Sequence, residues 1–430
     1  MTFVRDIKLQ LSFIFAVPVF AKLTALLIFI LPWQTQFIFE SFSISENAAT
    51  ITAGIFFSEI YLLILFTFFA IFNFNKISEV LRKFKTPFIF LLLAITFSTF
   101  LNSFSLFTPL HAFHIICGVL LFILISAQAD FHNVFFKAFI YSLIIPIFIG
   151  FFQFIANFSP TSTTLGLAIR DGESLGEAVL HLFRERQLRA YGSFQHPNIF
   201  AGYLVVALFI ITSHFKKHLN ILITFFSFAV LTTFSKSAIL AFALASMVFY
   251  LPTFYKIKPR SLKKNILAPF VILILLLSIF VRLQFNQFEL NSFGDRVLQW
   301  SVYPSLIAEK NLTQFVFGHG LSTFARTWYV FDQTVSPWLY QPIHNIPALL
   351  FFELGLLGIF AAVFFLKKIF FTFSKYESTN FFIPSLFTLL ITLSLFDHYL
   401  FSYWSGLALS SIILSFAYIS QLNSVSNPSS

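Results

Sequence analysis

Pro197-Asn-Ile-Phe-Ala-Gly-Tyr-Leu-Val-Val-Ala-Leu-Phe-Ile-Ile-Thr-Ser-His214 is one apolar run, entered through Gln195-His196 and followed at once by Lys216 and Lys217. Pro197 suits the first turn of a helix, where its missing N–H is not needed. A run of this length and character crosses a hydrocarbon core as a helix, which takes about 20 residues. Working outward, the same reading applies to segments 11–33, 51–72, 87–104, 109–127, 134–157, 219–234, 237–255, 266–283, 345–366, 381–397 and 400–420. Together they make about twelve spans. Lys236 interrupts the stretch 219–255. Segment 11–33 reads as a span and not as a cleaved signal peptide, because it is long, carries Lys22 and lacks a small-residue cleavage site.

Composition agrees. The chain of 430 residues is 58% hydrophobic and 10% charged, against about 45–50% and about 25% in a soluble domain. That leaves too few charges to solvate a soluble surface. With 14 Gly, 16 Pro and one cysteine, collagen, low-complexity disorder and a disulfide scaffold are excluded. Cys117 lies in an apolar run and reads as a small packed hydrophobe. The 68 Phe residues read as lipid-facing filler. The expected fold is an all-α integral membrane protein with two long external loops. It forms one polytopic domain over 1–422, followed by a disordered polar tail, Asn423–Ser430.

The net charge of +10 raises the question of nucleic acid. Its distribution answers it. Lys and Arg gather at Arg5 and Lys8, at 76–85, at 216–217, at 256–264 and at 367–375, while the loops near 34–50 and 105–108 hold none. Every second loop is basic. By the positive-inside rule this is a topology signal: an even span count, both termini cytoplasmic, in the cell membrane. Lipid, not nucleic acid, is the expected surroundings. Two long external segments, 158–196 and 284–344, run against the bias with Arg170, Arg184, Arg186, Arg189, Arg296, Lys310 and Arg326. Long loops translocate regardless of charge, so these residues either mean nothing more or serve a ligand. Within the first loop, Leu175, Ala178, Val179, Leu182 and Phe183 recur at helical spacing opposite Glu173, Glu177, His181, Arg184 and Glu185. That pattern predicts an amphipathic interfacial helix over 173–188.

No P-loop, GxSxG, HExxH, paired-cysteine zinc motif or acidic DxD pair is present. An enzyme of this sequence is expected to need neither metal nor cofactor. Polar groups instead cluster at the outer ends of spans. Arg189-Ala-Tyr-Gly-Ser-Phe-Gln-His-Pro-Asn198 is either a plain loop with a capped span or an anion site at a helix N-terminus, with Ser193, Gln195 or His196 as the cap. Lys236, in Ser235-Lys236-Ser237, either snorkels as an anchor or faces an anionic ligand. Gly294-Asp295-Arg296-Val-Leu-Gln299-Trp300 precedes Gly318-His319-Gly320. Arg296 is either half of a structural ion pair or a phosphate contact, and the glycines beside His319 permit close approach of a ligand. His344-Asn345 stands at the mouth of the span that carries Glu353, Gly355 and Gly358. His344 is either structural or a base near neutral pH. Asp397-His398-Tyr399 is a fifth cluster. Glu59 and Glu353 are the carboxylates that read as mid-span. Several cations, a histidine and few carboxylates on one face suit a diphosphate better than a proton or cation pump.

The order and spacing of these motifs, over about 185–400, resemble the bacterial O-antigen ligase and O-antigen polymerase superfamily. Arg189-Ala-Tyr-Gly-Ser-Phe-Gln-His-Pro-Asn198-Ile-Phe-Ala looks like its R-x-x-G-x-F-x-x-P-N-x-x-A signature, and His344-Asn345 with Glu353, Gly355 and Gly358 looks like its H-N…E-x-G-x-x-G stretch. Gly294-Asp295-Arg296 with Trp300 and Gly318-x-Gly320 is similar to its intervening loop. The resemblance implies a polytopic glycosyltransferase of the GT-C type. Such an enzyme moves a glycan from a polyprenyl-diphosphate carrier, on the external face, to a lipid core, a growing polysaccharide or a protein. It implies His344, Arg189 and Lys236 as catalytic residues, with Arg296, Asn198, His196, Asn345 and His319 binding substrate. Lys236 departs from the arginine usual there: the charge stays and the bidentate fork is lost. The rival from another class is a transporter or flippase of lipid-linked saccharide. It predicts two similar halves and broken midplane helices, and the sequence shows no such internal symmetry.

Overall fold

A computed structural model of the chain describes residues 17–42, 51–101, 106–174, 176–182, 185–215, 219–255, 291–308, 310–336, 339–374 and 382–426. The expected span 266–283 lies outside the described residues.

The described chain is mostly helical. It opens with α1 (Val19–Ile30) and a β1–β2 hairpin (Gln36–Phe42 with Ile51–Phe56). Then come α2 (Phe57–Lys83), α3 (Lys85–Leu101), α4 (Phe107–Ser126), α5 (His132–Ser142) and α6 (Ile144–Ala156). Four short strands follow: β3 (Phe158–Ser159), β4 (Arg170–Asp171), β5 (Val179–Leu182) and β6 (Glu185–Leu188). The second half contains α7 (Pro197–His214), α8 (Leu219–Thr233), α9 (Lys236–Tyr255), α10 (Asn291–Ala308), α11 (Leu312–Phe317) and α12 (Phe324–Phe331). It ends with α13 (Ile346–Ser374), α14 (Phe382–Phe396), α15 (Tyr399–Ser402) and α16 (Trp404–Ser426).

Six helical stretches are long and apolar enough to cross a membrane: Phe57–Lys83, Phe107–Ser126, Ala129–Ala156, Pro197–His214, Ile346–Ile369 and Trp404–Leu422. Five shorter apolar helices accompany them. Large apolar side chains such as Phe68, Phe72, Phe148 and Phe228 are more than half exposed. A surface of that kind belongs in lipid, and the chain is membrane-embedded.

The apolar run 197–214, as α7, is the axis of the bundle. Residues Ile199 to Ile211 of α7 are buried without a break, and α7 packs on α5, α8, α9, α14 and α16. A helix apolar on every side belongs inside a bundle. Sparse polar groups stitch the helices. Tyr203 Oη donates to Ser405 O at 2.8 Å, Ser411 Oγ to Gly118 O at 2.8 Å, and Trp404 Nε1 to Ser58 Oγ at 2.8 Å.

Several expectations need correction. The fold is not purely α, since three two-stranded antiparallel pairs stand among the helices. Residues 51–56 begin the expected second span as strand, paired to β1. Segment 134–157 lies within one membrane-length stretch, Ala129–Ala156, whose helix divides at Leu143, and Pro146 sits in the first turn of α6, where it lacks no hydrogen bond. The amphipathic helix over 173–188 is instead the β5–β6 hairpin, with Val179 opposite Leu188 and Leu180 opposite Gln187. Tertiary contacts override its helical spacing. Asn157 donates from Nδ2 to Arg186 O and accepts from Leu188 N–H, and Tyr191 Oη accepts from Ala178 N–H. The polar tail is helical to Ser426; 427–430 lie outside the described residues. Phe is not only lipid-facing: Phe84, buried, meets Phe122 and Phe365 at centroid distances of 5.1 Å.

The two carboxylates read as mid-span are anchors. Glu59 lies in the first turn of α2, where Oε2 accepts from Phe56 N–H at 2.8 Å and Oε1 lies 2.5 Å from His114 Nδ1. Glu353 accepts from the backbone N–H groups of Ser322, Thr323 and Phe324, and so caps α12.

Candidate functional site at one end of the bundle

Five separate stretches of chain meet at one end of the helices. His196 is the N-cap of α7, its Nδ1 accepting from Asn198 N–H at 3.1 Å. Asn198 is a bridge: Oδ1 accepts from Arg189 Nη2 at 2.8 Å, and Nδ2 donates to Asp397 Oδ2 at 2.7 Å. Arg189 Nε donates to Thr233 O at 2.7 Å. Thr233 ends α8, and its carbonyl is available because the chain turns at Phe234, with φ 50°, before α9 starts at Lys236. Asp397, just past α14, also accepts from His398 N–H at 2.8 Å. The rings of His398 and His344 meet edge to face, 4.9 Å between centroids. His344 Nδ1 lies 2.9 Å from Oε1 of Gln299, which stands one turn beyond Arg296 on α10.

The electrostatics are those of an anion site. Arg189, Lys236 and Arg296 feel one another's charge. Asp397 is the carboxylate that Arg189 and Arg296 share. Among the described residues the ion pairs are Lys83–Glu79, His114–Glu59 and Arg170–Glu177, and none includes Arg189 or Arg296. Arg296 thus makes no ion pair among the described residues. Burial pushes Arg189 down to about 10, with Arg296 acting in the same direction. It remains charged at neutral pH. Burial also raises Asp397, but His344, His398, His196 and Arg296 outweigh it and hold the carboxyl below its usual range. Burial lowers His344, and lowers His196 and His398 to about 3. At pH 7 the site thus holds neutral imidazoles, one carboxylate and an excess of fixed cations.

His344, Asp397 and His398 each offer a potential metal-ligand atom, all within 4.8 Å of one another. Arg296 acts on all three of these residues. A cation that acts on all three opposes a divalent metal ion and favours an anion.

Two of the expected substrate contacts are placed differently. Asn345 caps α13: Oδ1 accepts from Ala348 N–H at 3.0 Å, and Nδ2 donates to Leu395 O at 3.1 Å. His319 stacks on Phe352, centroids 4.4 Å apart, and donates from its backbone N–H to Phe352 O. It belongs to a lock around a break in α13 at Gly355 (φ 63°). There the freed carbonyls find outside donors: Lys310 Nζ donates to Phe351 O and Phe352 O, and Gly320 N–H to Glu353 O. Arg189, His196, Asn198, Lys236, Arg296 and His344 do come together. Asp397 and His398 join them from the fifth cluster. Gln299 carries no motif of its own in the sequence; its i, i+3 spacing from Arg296, which puts both on one helix face, is the signal that points to it.

Among known proteins, no family model matches the chain, and no curated protein matches it.

Proposed function

We propose that the chain is a glycosyltransferase of the O-antigen ligase and polymerase superfamily, with about twelve spans and a GT-C arrangement. It passes a glycan from a polyprenyl-diphosphate carrier to a lipid core, a growing polysaccharide or a protein, on the external face of the cell membrane. One observation carries the reading: Arg189, Lys236 and Arg296 converge at one end of the bundle, close enough to act on one another, beside a histidine that burial and Arg296 hold below its usual range.

The chemistry follows from that arrangement. The acceptor hydroxyl oxygen forms a bond to the anomeric carbon as the bond from that carbon to the diphosphate oxygen breaks. Negative charge grows on the leaving diphosphate, where the three cations are already in place and need no reorganisation. The acceptor proton passes to His344, which burial and Arg296 keep unprotonated. Asp397 stabilises the imidazolium that forms and, through Asn198, steadies Arg189. No step requires a metal. Apolar helix faces accommodate the isoprenoid.

The test is turnover in vitro. The purified protein, given a polyprenyl-diphosphate-linked oligosaccharide and EDTA, is expected to release polyprenyl diphosphate and form a glycan product. His344→Ala is expected to abolish it. A product of many repeats indicates polymerisation, and a single transfer indicates ligation. Equal turnover by both proteins overturns the role of His344, and movement of intact carrier between leaflets with no bond cleavage supports a flippase instead.

A further inference from the structure

Gln299 is 1% exposed and carries a carboxamide with nowhere to reach water. Three contacts fix which way round that carboxamide lies. Oε1 is 3.3 Å from the backbone nitrogen of His344 and 2.9 Å from its Nδ1, while Nε2 is 3.5 Å from Pro342 O. A backbone N–H only donates and a carbonyl only accepts. Reversing the amide would set an NH2 against the His344 N–H and an oxygen against the Pro342 carbonyl. Oε1 therefore faces His344, and an atom that only accepts must be met by a hydrogen on Nδ1. A neutral imidazole has one N–H. Its other nitrogen, Nε2, is then the one with the free lone pair.

We infer that Gln299 is the positioning residue that sets the tautomer of His344, holding the hydrogen on Nδ1 and leaving Nε2 as the basic nitrogen. The tautomer itself does not depend on the proposed reaction; only its kinetic consequence rests on that reading. The charged and titratable groups around the ring are Asp397 and His398 from the turn after α14, Arg296 from α10, and His196 from the start of α7. None of them is the hydrogen-bond partner of Nδ1, which faces Gln299 Oε1 at 2.9 Å, so on Nδ1 the acceptor that fixes the hydrogen is Gln299.

The isosteric Gln299→Glu and the apolar Gln299→Leu test this. Ring-15N histidine spectra of the detergent-solubilised protein, with the His344 signal assigned by its loss in His344→Gln, read the tautomer directly. The wild type is expected to show Nδ1–H with a bare Nε2. Gln299→Leu is expected to lose that preference and show mixed or Nε2–H character. Gln299→Glu puts a carboxylate on Nδ1, with Arg296 one turn away to keep it ionised. It is expected to raise the His344 titration midpoint by about one unit or more, tenfold in proton affinity. The same midpoint is read without any turnover from the pH dependence of diethyl pyrocarbonate modification of the His344 peptide. In transfer assays, Gln299→Leu is expected to lower kcat about tenfold or more with KM for the carrier little changed, and Gln299→Glu to move the acid limb of the pH profile upward. A wild-type His344 in the Nε2–H form, or a midpoint unmoved in Gln299→Glu, overturns the inference. Should Gln299→Leu fail to fold, the isosteric variant decides alone. A protein that transfers no glycan but shows the shifted midpoint refutes the proposed function and keeps the assignment of Gln299.

Discussion

Arg189 combines a charge lowered by burial, neutral acceptors on two of its nitrogens, and both the Asp397 carboxylate and the Arg296 cation acting on it. Burying such a charge costs stability, and the anionic ligand proposed for this site would offset that cost. Replacing Arg189 by alanine is therefore expected to reduce transfer about 10²–10³-fold, as removal of one preorganised donor does elsewhere. The variant's thermal unfolding should not fall below that of the wild type, and release of polyprenyl diphosphate checks the rate. Lys236→Arg restores the bidentate fork and is expected to retain activity, whereas Lys236→Met is expected to lose it. The histidines add a pH signature of their own. His196 and His398 are held at about 3 when folded, against an ordinary value of 6.5. Below 6.5 the unfolded chain takes up protons that the folded site refuses. Stability is thus full above about 6.5 and falls steadily as the pH drops toward 3. Melting temperatures in detergent from pH 7.5 to 4.5 should show this fall, and His398→Asn should flatten it.

At the scale of elements, α13 is made of two parts joined at Gly355, and Gly318 fills the joint. A Cβ on Gly318 would stand 2.1 Å from Glu353 O, and one on Gly355 would stand 2.5 Å from the carbonyl of Val316. Both have positive φ. Gly355→Ala is expected to destabilise by about 1–3 kcal/mol from backbone strain alone, with the clash added. Gly294→Ala, whose Cβ meets nothing within 4 Å in helix α10, is the control and is expected to be neutral or stabilising. Chemical denaturation compares them. His319 packs within this lock, so His319→Ala is expected to weaken the fold more than the rate of transfer. These elements also mark where the sequence could and could not be read. The apolar runs 197–214, 219–234 and 381–397 match α7, α8 and α14 to within two residues, because hydrophobicity alone sets a membrane helix. The β5–β6 hairpin was not legible, because its partners Asn157 and Tyr191 lie on either side of it in sequence. Arg189, Lys236, Arg296 and His344 were legible as polar groups at span ends. Gln299 and the bridging by Asn198 were not, since both depend on which helices stand side by side.

Across the whole molecule, the helices sort the polar groups to two ends. Arg189, Lys236, Arg296, His344 and Asp397 meet at one, beside the starts of α7, α9 and α13 and the finishes of α8 and α14. Lys83 at the end of α2, Lys85 at the start of α3 and Lys367, late in α13, lie toward the other, where Lys83 Nζ donates to Tyr418 Oη in the far half of α16. The positive-inside bias predicts these lysines in the cytoplasm and the site end outside. Cysteine labelling tests this with little preparation, because the single native cysteine, Cys117, is 0% exposed. Thr163→Cys and Gln333→Cys, both exposed near the site end, are expected to react with a membrane-impermeant maleimide in right-side-out vesicles. Lys85→Cys and Lys367→Cys, both exposed toward the opposite end, are expected to react only in inverted vesicles or after permeabilisation. The reverse pattern would put the cations and His344 in the cytoplasm. The donor would then have to be a carrier not yet moved across the membrane, and the external reaction proposed for this site would fall.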